Sequence, residues 1–459
     1  MRRLIVTLLT APSPSARTPI ADRARTLARD VSWTGWILAV AVPILFVHIR
    51  YQPKVSLDIG STSVDVSLAD VAIAAVVLAA LLRGRREGFA PLRRARWTLV
   101  AAGALVALSL LALATPSLLG EDYAFASHAV TALKFAWYAL LLPAVALLVR
   151  STIDAAPLFR VAVAWSAVAT AWGLLQFLGA VDEFEGRRPG QREPSFVGIH
   201  DFAALSGAAL ALGICAFVLT THRPLSPRWA AVALAAGGAG VVLSGAMTGV
   251  IGVWLALLAV ALLARSRGLL HRRGLVVVLA VVLATTGGTA LMRADALTRL
   301  AELVGLRDKT DPIGAESYPQ RALLAYIGAR VWLEHPLTGV GWLASSEEWA
   351  YGPHLDDARR RFPDQPEAAF PSPEHPWGVQ TLYVQVLADL GILGLVALVA
   401  LAGVAIAAGV RGARAPPVPV VGLAWLMVCV GVWAGIGIVA GIPLLALTWI
   451  ALGLVDVRD

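Results

Sequence analysis

Long apolar segments, separated by short polar ones, recur along this chain from residue 32 to its end and dictate where it can fold. A segment of roughly 20 apolar residues is long enough to cross a bilayer as a helix. We predict twelve such spans, at about 32–49, 66–83, 97–115, 126–149, 157–179, 202–220, 229–245, 248–264, 274–292, 379–409, 419–435 and 438–455. The chain is 58% hydrophobic and only 15% charged, whereas a soluble domain is about half apolar and a quarter charged. The predicted fold is an all-α polytopic membrane protein. Spans seven and eight could also be a single long helix with a break at residues 244–249.

Arginine far outnumbers lysine and is concentrated in segments that fall on one side of the predicted bundle. The segments are the tail 1–31 and the loops after spans two, eight and ten. Because cytoplasmic loops are rich in Lys and Arg, we predict that both termini are cytoplasmic. The net charge of +8 is then explained by arginines in the short loops between spans. We therefore predict no nucleic-acid partner. The run Leu4–Ala11 is too short, and its continuation too polar, for a signal peptide.

One polar stretch, residues 293–378, interrupts the apolar pattern between spans nine and ten. The predicted orientation makes it a large extracytoplasmic loop between the spans of 32–292 and those of 379–459. Its segment Gln320–Glu334 has the apolar spacing of a helix and stops before Pro336. We expect chemistry on a polar substrate to depend on this loop, since it is the one large part of the chain kept in water.

Arginines are unexpected on the outer side, and two of them, Arg192 and Arg321, lie just ahead of apolar segments. The planar guanidinium matches phosphate oxygens and keeps its charge. A lipid-linked diphosphate at the outer membrane face requires such groups; a headgroup-facing arginine is the alternative, and it is favoured for the run Arg359–Arg361. Lys134 lies inside span four, where a charge either serves function or reaches the outer headgroups through its flexible stem.

Three histidines lie in the large loop, His335, His354 and His375. Histidine is the usual general base near neutral pH. His375 immediately precedes the return of the chain into the membrane, where a reacting headgroup lies, so it is our candidate base. His335 precedes a turn and is interpreted as a helix-end residue.

We predict neither a metal nor a cofactor. Cys215 and Cys429 both fall inside predicted spans and form no disulfide or zinc motif. The sequence has no phosphate loop and no nucleophile elbow. The adjacent Glu121 and Asp122 can hold a divalent cation, but a solvated acidic pair explains them better.

Two segments of the chain resemble the O-antigen ligase and O-antigen polymerase superfamily. The first joins Arg321, through the turn His335-Pro-Leu-Thr-Gly-Val-Gly341, to Gln380-Thr-Leu-Tyr383-Val-Gln-Val-Leu-Ala-Asp389-Leu-Gly391. The second joins Arg192 to Ser195-Phe-Val-Gly-Ile-His200-Asp201. The span count and the position of the large loop also agree with this family, and the resemblance covers roughly residues 97–410.

The resemblance implies a metal-independent glycosyltransferase of the bacterial cytoplasmic membrane, surrounded by membrane lipids, that makes O-antigen, capsule or exopolysaccharide. The implied donor is a glycan on undecaprenyl diphosphate, and the acceptor is a glycan or lipid-glycan whose hydroxyl attacks the anomeric carbon. The implied diphosphate-binding residues are Arg321 and Arg192, where positive charge stabilises the leaving diphosphate, and we add Lys134 to them because of its position in span four. The implied donor or acceptor contacts are His200, Asp201 and Asp389.

The sequence departs from the family pattern at two positions. Gln380 stands where the family has a histidine, and an amide is no base. Residues 246–249 stand where the family has Ser-Arg-Gly, so that arginine is missing. We predict a catalytic group of His375, Gln380 and Tyr383, with Arg192 or Lys134 replacing the missing arginine; a different acceptor or lost activity are the alternatives.

Two other functions fit a protein of this kind. A transporter or flippase usually has polar residues and broken helices at mid-membrane in repeated halves, whereas here Lys134 is nearly alone and no repeat is visible. A metal-dependent lipid-phosphate sugar transferase would need Glu121 and Asp122. The residues leave open the donor sugar and the choice between polymerase and ligase.

Overall fold

The computed structural model describes residues 33–59, 62–182, 184, 190–221, 223–303, 318–375, 377–413, 417–438 and 441–457, and the predicted tail 1–31 lies outside them. These residues form a bundle of helices with one β-hairpin. In chain order the helices are α1 (Trp33–Leu45), α2 (Leu68–Glu87), α3 (Ala90–Arg94), α4 (Arg96–Leu111), α5 (Thr115–Leu119), α6 (Phe125–Ala139), α7 (Leu141–Leu148), α8 (Thr152–Phe177), α9 (Ile199–Val218), α10 (Pro227–Ser244), α11 (Met247–Ser266), α12 (Arg272–Met292), α13 (Ala294–Leu303), α14 (Tyr318–Glu334), α15 (Glu348–Tyr351), α16 (Leu355–Arg361), α17 (Leu382–Gly412), α18 (Val418–Val432) and α19 (Ile442–Leu454), with β1 (Lys54–Ile59) and β2 (Thr62–Ser67) between α1 and α2.

Every predicted span overlaps one helix or one consecutive pair of helices. Within the described residues, nine helical segments are long and apolar enough to cross a membrane. The other three predicted spans correspond to α1 and α19, which are apolar but short, and to α2, which ends in Arg85 and Arg86. The chain is therefore a multi-pass helical membrane protein, and the count of twelve spans stays a prediction.

Helix α9 is the centre of the bundle, and its neighbours alternate in direction. Gly237 of α10 lies beside Leu210 of α9, and Gly240, further along α10, lies beside Ser206, which comes earlier in α9. The two helices are therefore antiparallel. Glycine permits this approach, because a side chain at Gly237 would collide with the backbone of Leu210.

The next helix, α11, runs parallel to α9. Gly249 of α11 lies beside Ala203 of α9, and Val253, further along α11, lies beside Gly207, which comes later in α9. Helices α10 and α11 are therefore two antiparallel helices joined at Gly245, whose φ of 58° is left-handed. This result excludes one long broken helix over residues 244–249.

The described parts of the arginine-rich loops after spans two, eight and ten lie at one end of the bundle, here called the arginine end. Arg83 donates to the carbonyl of Leu148 at 2.6 Å and lies 3.3 Å from a carboxylate oxygen of Asp154. Arg267 donates to the carbonyl of Val410. These contacts join the ends of α2, α7, α11 and α17 and the start of α8.

The segment 318–380 covers the opposite end of the bundle, here called the loop end. Its helix α14 begins two residues before the predicted Gln320 and ends at Glu334, as predicted. The turn after α14 binds α17 through its backbone: Val340 N–H donates to Ala388 and Gly341 N–H donates to Asp389, both at 2.9 Å.

Helix α17 is interrupted at Gly391, whose φ is 63°. A β-carbon at this glycine would lie 2.3 Å from the carbonyl oxygen of Leu337. The break lets Ile392 N–H donate to Pro336 in the same turn. The two halves of the family-like motif therefore bind each other, and their glycines allow the contact.

The hairpin β1–β2 was not predicted. Its antiparallel register pairs Val55 with Val66 and Leu57 with Val64, so these four side chains share one face. They alternate with polar residues, which is the period of a strand, so this segment has no long apolar run of the kind that marks a span.

Candidate functional site

A polar cavity of about 370 Å³, here called the arginine cavity, lies at the loop end of the bundle. It brings together parts of the chain that are far apart in sequence. Its lining residues are His48, Arg192, Gly198, Ile199, His200, Asp201, Arg321, Gln380, Gly435, Ile436 and Gly441. Five of these residues were predicted site residues: Arg192, His200, Asp201, Arg321 and Gln380.

Arg321 and His200 are in direct contact in this cavity. Arg321 stands in the first turn of α14, and its Nη2 lies 3.2 Å from Nε2 of His200, in the first turn of α9. Arginine can only donate, so Nε2 accepts and the neutral imidazole carries its proton on Nδ1. The contact therefore holds His200 as a neutral imidazole.

Asp201 forms the wall behind this pair. Its side chain is buried, and Oδ1 accepts a hydrogen bond of 2.9 Å from the backbone N–H of Leu444, in the first turn of α19. A carboxylate is favourable at a helix N-terminus. A β-carbon on Gly441 would lie only 1.7 Å from Oδ2, so glycine is required there. Asp201 thus fixes α19 to α9 at the edge of the cavity.

Arg192 lies beside the turn where the family has its additional arginine. Its Cβ is 2.8 Å from the position of a β-carbon on Gly245. A second arginine, Arg293 at the end of α12, reaches the same point with its Cδ at 3.5 Å. Its guanidinium lies over the ring of Tyr318 at 5.4 Å, and its buried Nε has no hydrogen-bond partner among the described residues.

Arg293 and His48 were missed from the sequence. Arg293 stands at the boundary between span nine and the large loop, where an arginine is usually solvated. His48 follows span one, where it is typical of a membrane interface. Only the packing of distant helices brings each of them to the cavity region, so no local signal marks them.

Two glutamines near the start of α17 have different roles. Gln380 lines the arginine cavity just before Thr381, the N-cap of the helix. Gln385 accepts a 2.6 Å hydrogen bond from Ile438 N–H at its Oε1. Gln385 thereby holds the segment 435–438, which contributes Gly435 and Ile436 to the cavity wall.

Lys134 lines a neighbouring cavity of about 290 Å³, here called the lysine cavity. Its Nζ donates to the carbonyl of Asp65 at 2.7 Å and lies 3.6 Å from a carboxylate oxygen of Asp70. His48 and Gly441 line both cavities. The structure thus separates Lys134 from the arginines but places it in the adjoining space.

Three predicted site residues do not line either cavity. Tyr383 donates to the carbonyl of Val430 at 2.6 Å and borders an apolar cavity instead. Asp389 is 1% exposed and accepts a hydrogen bond from the backbone N–H of Ser345, which supports the turn bound to α17. His375 is exposed and stacks on Trp377.

The other charged groups singled out from the sequence face solvent. Glu121 and Asp122 are exposed. Arg359 and Arg360 form exposed ion pairs with acidic residues of α16 and of the following segment. Among the described residues, no group of three or more His, Cys, Asp or Glu side chains is arranged to hold a metal ion.

Comparison with known protein families gives a match over part of the chain. Residues 229–399 match the family model described as O-antigen ligase, and no curated protein matches the chain. The matched residues include the first of the two segments that carry the resemblance, with Arg321, Gln380, Tyr383 and Asp389. The second segment, with Arg192, His200 and Asp201, precedes the match. The match confirms the resemblance over residues 229–399, which are similar to an O-antigen ligase domain.

Proposed function

We propose that the chain transfers a glycan from undecaprenyl diphosphate to a hydroxyl of an acceptor sugar, at the outer face of the bacterial cytoplasmic membrane. The family acts in the transfer of lipid-linked glycans for surface polysaccharide synthesis. One observation carries the proposal: the arginine cavity gathers Arg192, Arg321, His200 and Gln380 at one end of a membrane-spanning bundle.

The charges of the cavity suit a diphosphate. Arg192 and Arg321 line it, and Arg293 lies beside Arg192 at the Gly245 turn. Guanidinium groups bind phosphate oxygens through paired, charge-assisted hydrogen bonds. We propose that Arg293 supplies the charge of the arginine that is missing from residues 246–249.

The proposed reaction forms one bond and breaks another at the anomeric carbon. The acceptor oxygen bonds to this carbon, while the bond from the carbon to the diphosphate oxygen breaks and the diphosphate leaves with the electron pair. Preorganised positive groups stabilise the charge that develops on the leaving group. Arg321 and Arg192 have this role.

The acceptor hydroxyl must also lose its proton. When Arg321 turns its Nη2 from His200 to the diphosphate, Nε2 of His200 becomes available to take that proton. Histidine is suited to this step near neutral pH. The amide of Gln380 orients the acceptor hydroxyl by hydrogen bonding, a role that needs no titration.

The test uses the purified protein in lipid nanodiscs with a lipid-linked glycan as donor. We expect formation of a longer or transferred glycan, and a loss of roughly 100-fold or more in turnover for Arg321→Ala. Arg330→Ala is the matched control, because Arg330 lies on the same helix but pairs with Asp357, outside the cavity. Turnover that survives Arg321→Ala contradicts the proposal.

Two further experiments distinguish this function from transport and from metal-dependent transfer. Translocation of unchanged lipid-linked glycan in proteoliposomes, with no new glycosidic bond, would establish a transporter instead. We expect a chelator to leave turnover unchanged; loss of turnover that added Mg²⁺ restores would overturn metal independence.

A further inference from the structure

Three adjoining cavities follow one another through the loop-end half of the bundle, and their walls become less polar in order. The arginine and lysine cavities share His48 and Gly441. The lysine cavity and an apolar cavity of about 150 Å³ share Phe135, Ile438 and Leu445. The last cavity is lined mainly by side chains of α17, α18 and α19, with Leu105 of α4.

This order of polarity also follows depth in the bundle. Helix α6 starts at Phe125 at the loop end, and Lys134 stands nine residues further, or about 13 Å along the helix axis. A ligand that passes from the arginine cavity into the apolar cavity must therefore be charged at its outer end and apolar at its inner end. A prenyl diphosphate has this form.

Lys134 is placed to bind a phosphate in the middle cavity. One N–H of its ammonium donates to the carbonyl of Asp65, and another faces Asp70 at 3.6 Å. That distance exceeds the 2.7–2.9 Å of a direct charge-assisted hydrogen bond. Asp70 already accepts from the N–H and the hydroxyl of Ser67, so its pairing with Lys134 is incomplete.

His48 stands at the boundary between the charged cavities, and its hydrogen bonding sets its tautomer. Its Nδ1 accepts from the backbone N–H of Arg50 at 3.2 Å. The neutral ring therefore carries its proton on Nε2. Its ring is held by Phe184, at 4.5 Å between centroids.

We propose, resting on the proposed function, that the donor diphosphate straddles His48. The sugar-side phosphate lies with Arg192 and Arg321, and the lipid-side phosphate lies with Lys134. The first isoprene units enter the apolar cavity. His48 donates from Nε2 to the diphosphate as a positioning residue and does not act as a base.

The test measures binding of two probes, farnesyl monophosphate and farnesyl diphosphate, to the purified full-length protein in nanodiscs. The monophosphate has only the lipid-side phosphate. We expect Lys134→Met to weaken binding of both probes roughly 10- to 100-fold, the range for a lost hydrogen bond to a charged group. We expect Arg321→Ala to weaken the diphosphate similarly and to leave the monophosphate unchanged.

The reverse pattern, in which Arg321→Ala weakens the monophosphate and Lys134→Met does not, overturns the placement. Equal loss of both probes in both variants also overturns it, since the two phosphates would then share one site. Thermal unfolding of each variant without ligand identifies a loss due to misfolding. Lys134→Arg, which keeps the charge, is then the second variant and must retain monophosphate binding.

His48→Gln tests the role of the histidine, because the glutamine amide can donate near the position of Nε2 but cannot take a proton. We expect His48→Ala to lose roughly 10-fold or more in diphosphate affinity, and His48→Gln to retain most of the affinity that His48→Ala loses. Equal loss in both variants overturns the donor role. Binding needs no transfer, so a correct binding pattern without turnover refutes the proposed function alone.

Discussion

Arg321 and His200 constrain each other, because a guanidinium that donates to an imidazole keeps that ring neutral. A neutral ring is the form that can accept a proton. The contact therefore keeps His200 in the form that can act as a base once Arg321 turns to the diphosphate, which is the role proposed for the two residues. The two residues act together, and their single substitutions are expected to be non-additive.

Two histidines compete for the catalytic role, and their locations differ. His200 lines the arginine cavity, whereas His375 is exposed and stacked on Trp377. We expect His200→Ala to lower kcat by about 100-fold or more, the contribution of a general base, and His375→Ala to leave it near the wild-type value. Steady-state kinetics of both variants measure this difference. A loss of kcat in His375→Ala but not in His200→Ala would assign the base to His375.

Arg293 provides a second prediction at this scale. Its Nε is buried without a described partner and its guanidinium lies over Tyr318. We expect Arg293→Ala to weaken binding of farnesyl diphosphate roughly tenfold, and Arg293→Lys to restore part of it. Arg360→Ala serves as control, because that side chain is 73% exposed. If Arg293→Ala binds farnesyl diphosphate with unchanged affinity, Arg293 does not contribute to the diphosphate site.

At the scale of elements, the decisive contact is between the turn 335–341 and the break in α17. The contact uses backbone hydrogen bonds, so its sequence requirement is glycine and not a particular side chain. Asp389 supports the same contact through Ser345 N–H. The family-like motif thus combines cavity residues with residues that hold the large loop on the bundle.

Gly391 tests this contact. A β-carbon there meets the carbonyl of Leu337 at 2.3 Å, on a backbone with positive φ. We expect Gly391→Ala to destabilise the protein by about 1–3 kcal/mol, the cost of a strained backbone position, and to lower turnover. Gly403→Ala, on the same helix with nothing within 4 Å, is the control in thermal unfolding. Equal stability of the two variants would show that glycine is not required at position 391.

We expect His354 to make the large loop less stable in acid. Burial lowers the pKa of its imidazole from the usual value, and nearby Glu334 opposes this only in part. Because protonation then favours the unfolded segment, the stabilisation is present above about pH 6.5, the ordinary histidine pKa, and is lost as the pH falls. We expect the protection factors of residues 344–361 against hydrogen exchange, which correct for the intrinsic rate at each pH, to fall between pH 7.5 and 5.5, and His354→Gln to remove this fall.

At the scale of the whole molecule, the topology can be tested by labelling, because both native cysteines are fully buried and give little background. We expect a membrane-impermeant maleimide to label Asp356→Cys from outside right-side-out vesicles. Arg86→Cys, at the arginine end, should react only after permeabilisation. Labelling of both without permeabilisation would contradict the predicted orientation.

The positions of the helices could be predicted from the sequence, because hydropathy is a local property of about 20 residues. The grouping of Arg192, Arg321 and His200 was accessible only through the family resemblance. His48 and Arg293 were not accessible, since their neighbours are set by the packing of α1 and α12 against distant segments. The hairpin was missed because its alternating pattern is short and lies between two spans.

The burial of α9 has a consequence for how such a protein can change. Its central window is 94% buried inside the bundle, and its first turn carries His200 and Asp201. A substitution in α9 must be accommodated by several neighbouring helices at once, whereas the large loop has one side free in water. We therefore expect substitutions in the loop to be accommodated more readily than substitutions in α9.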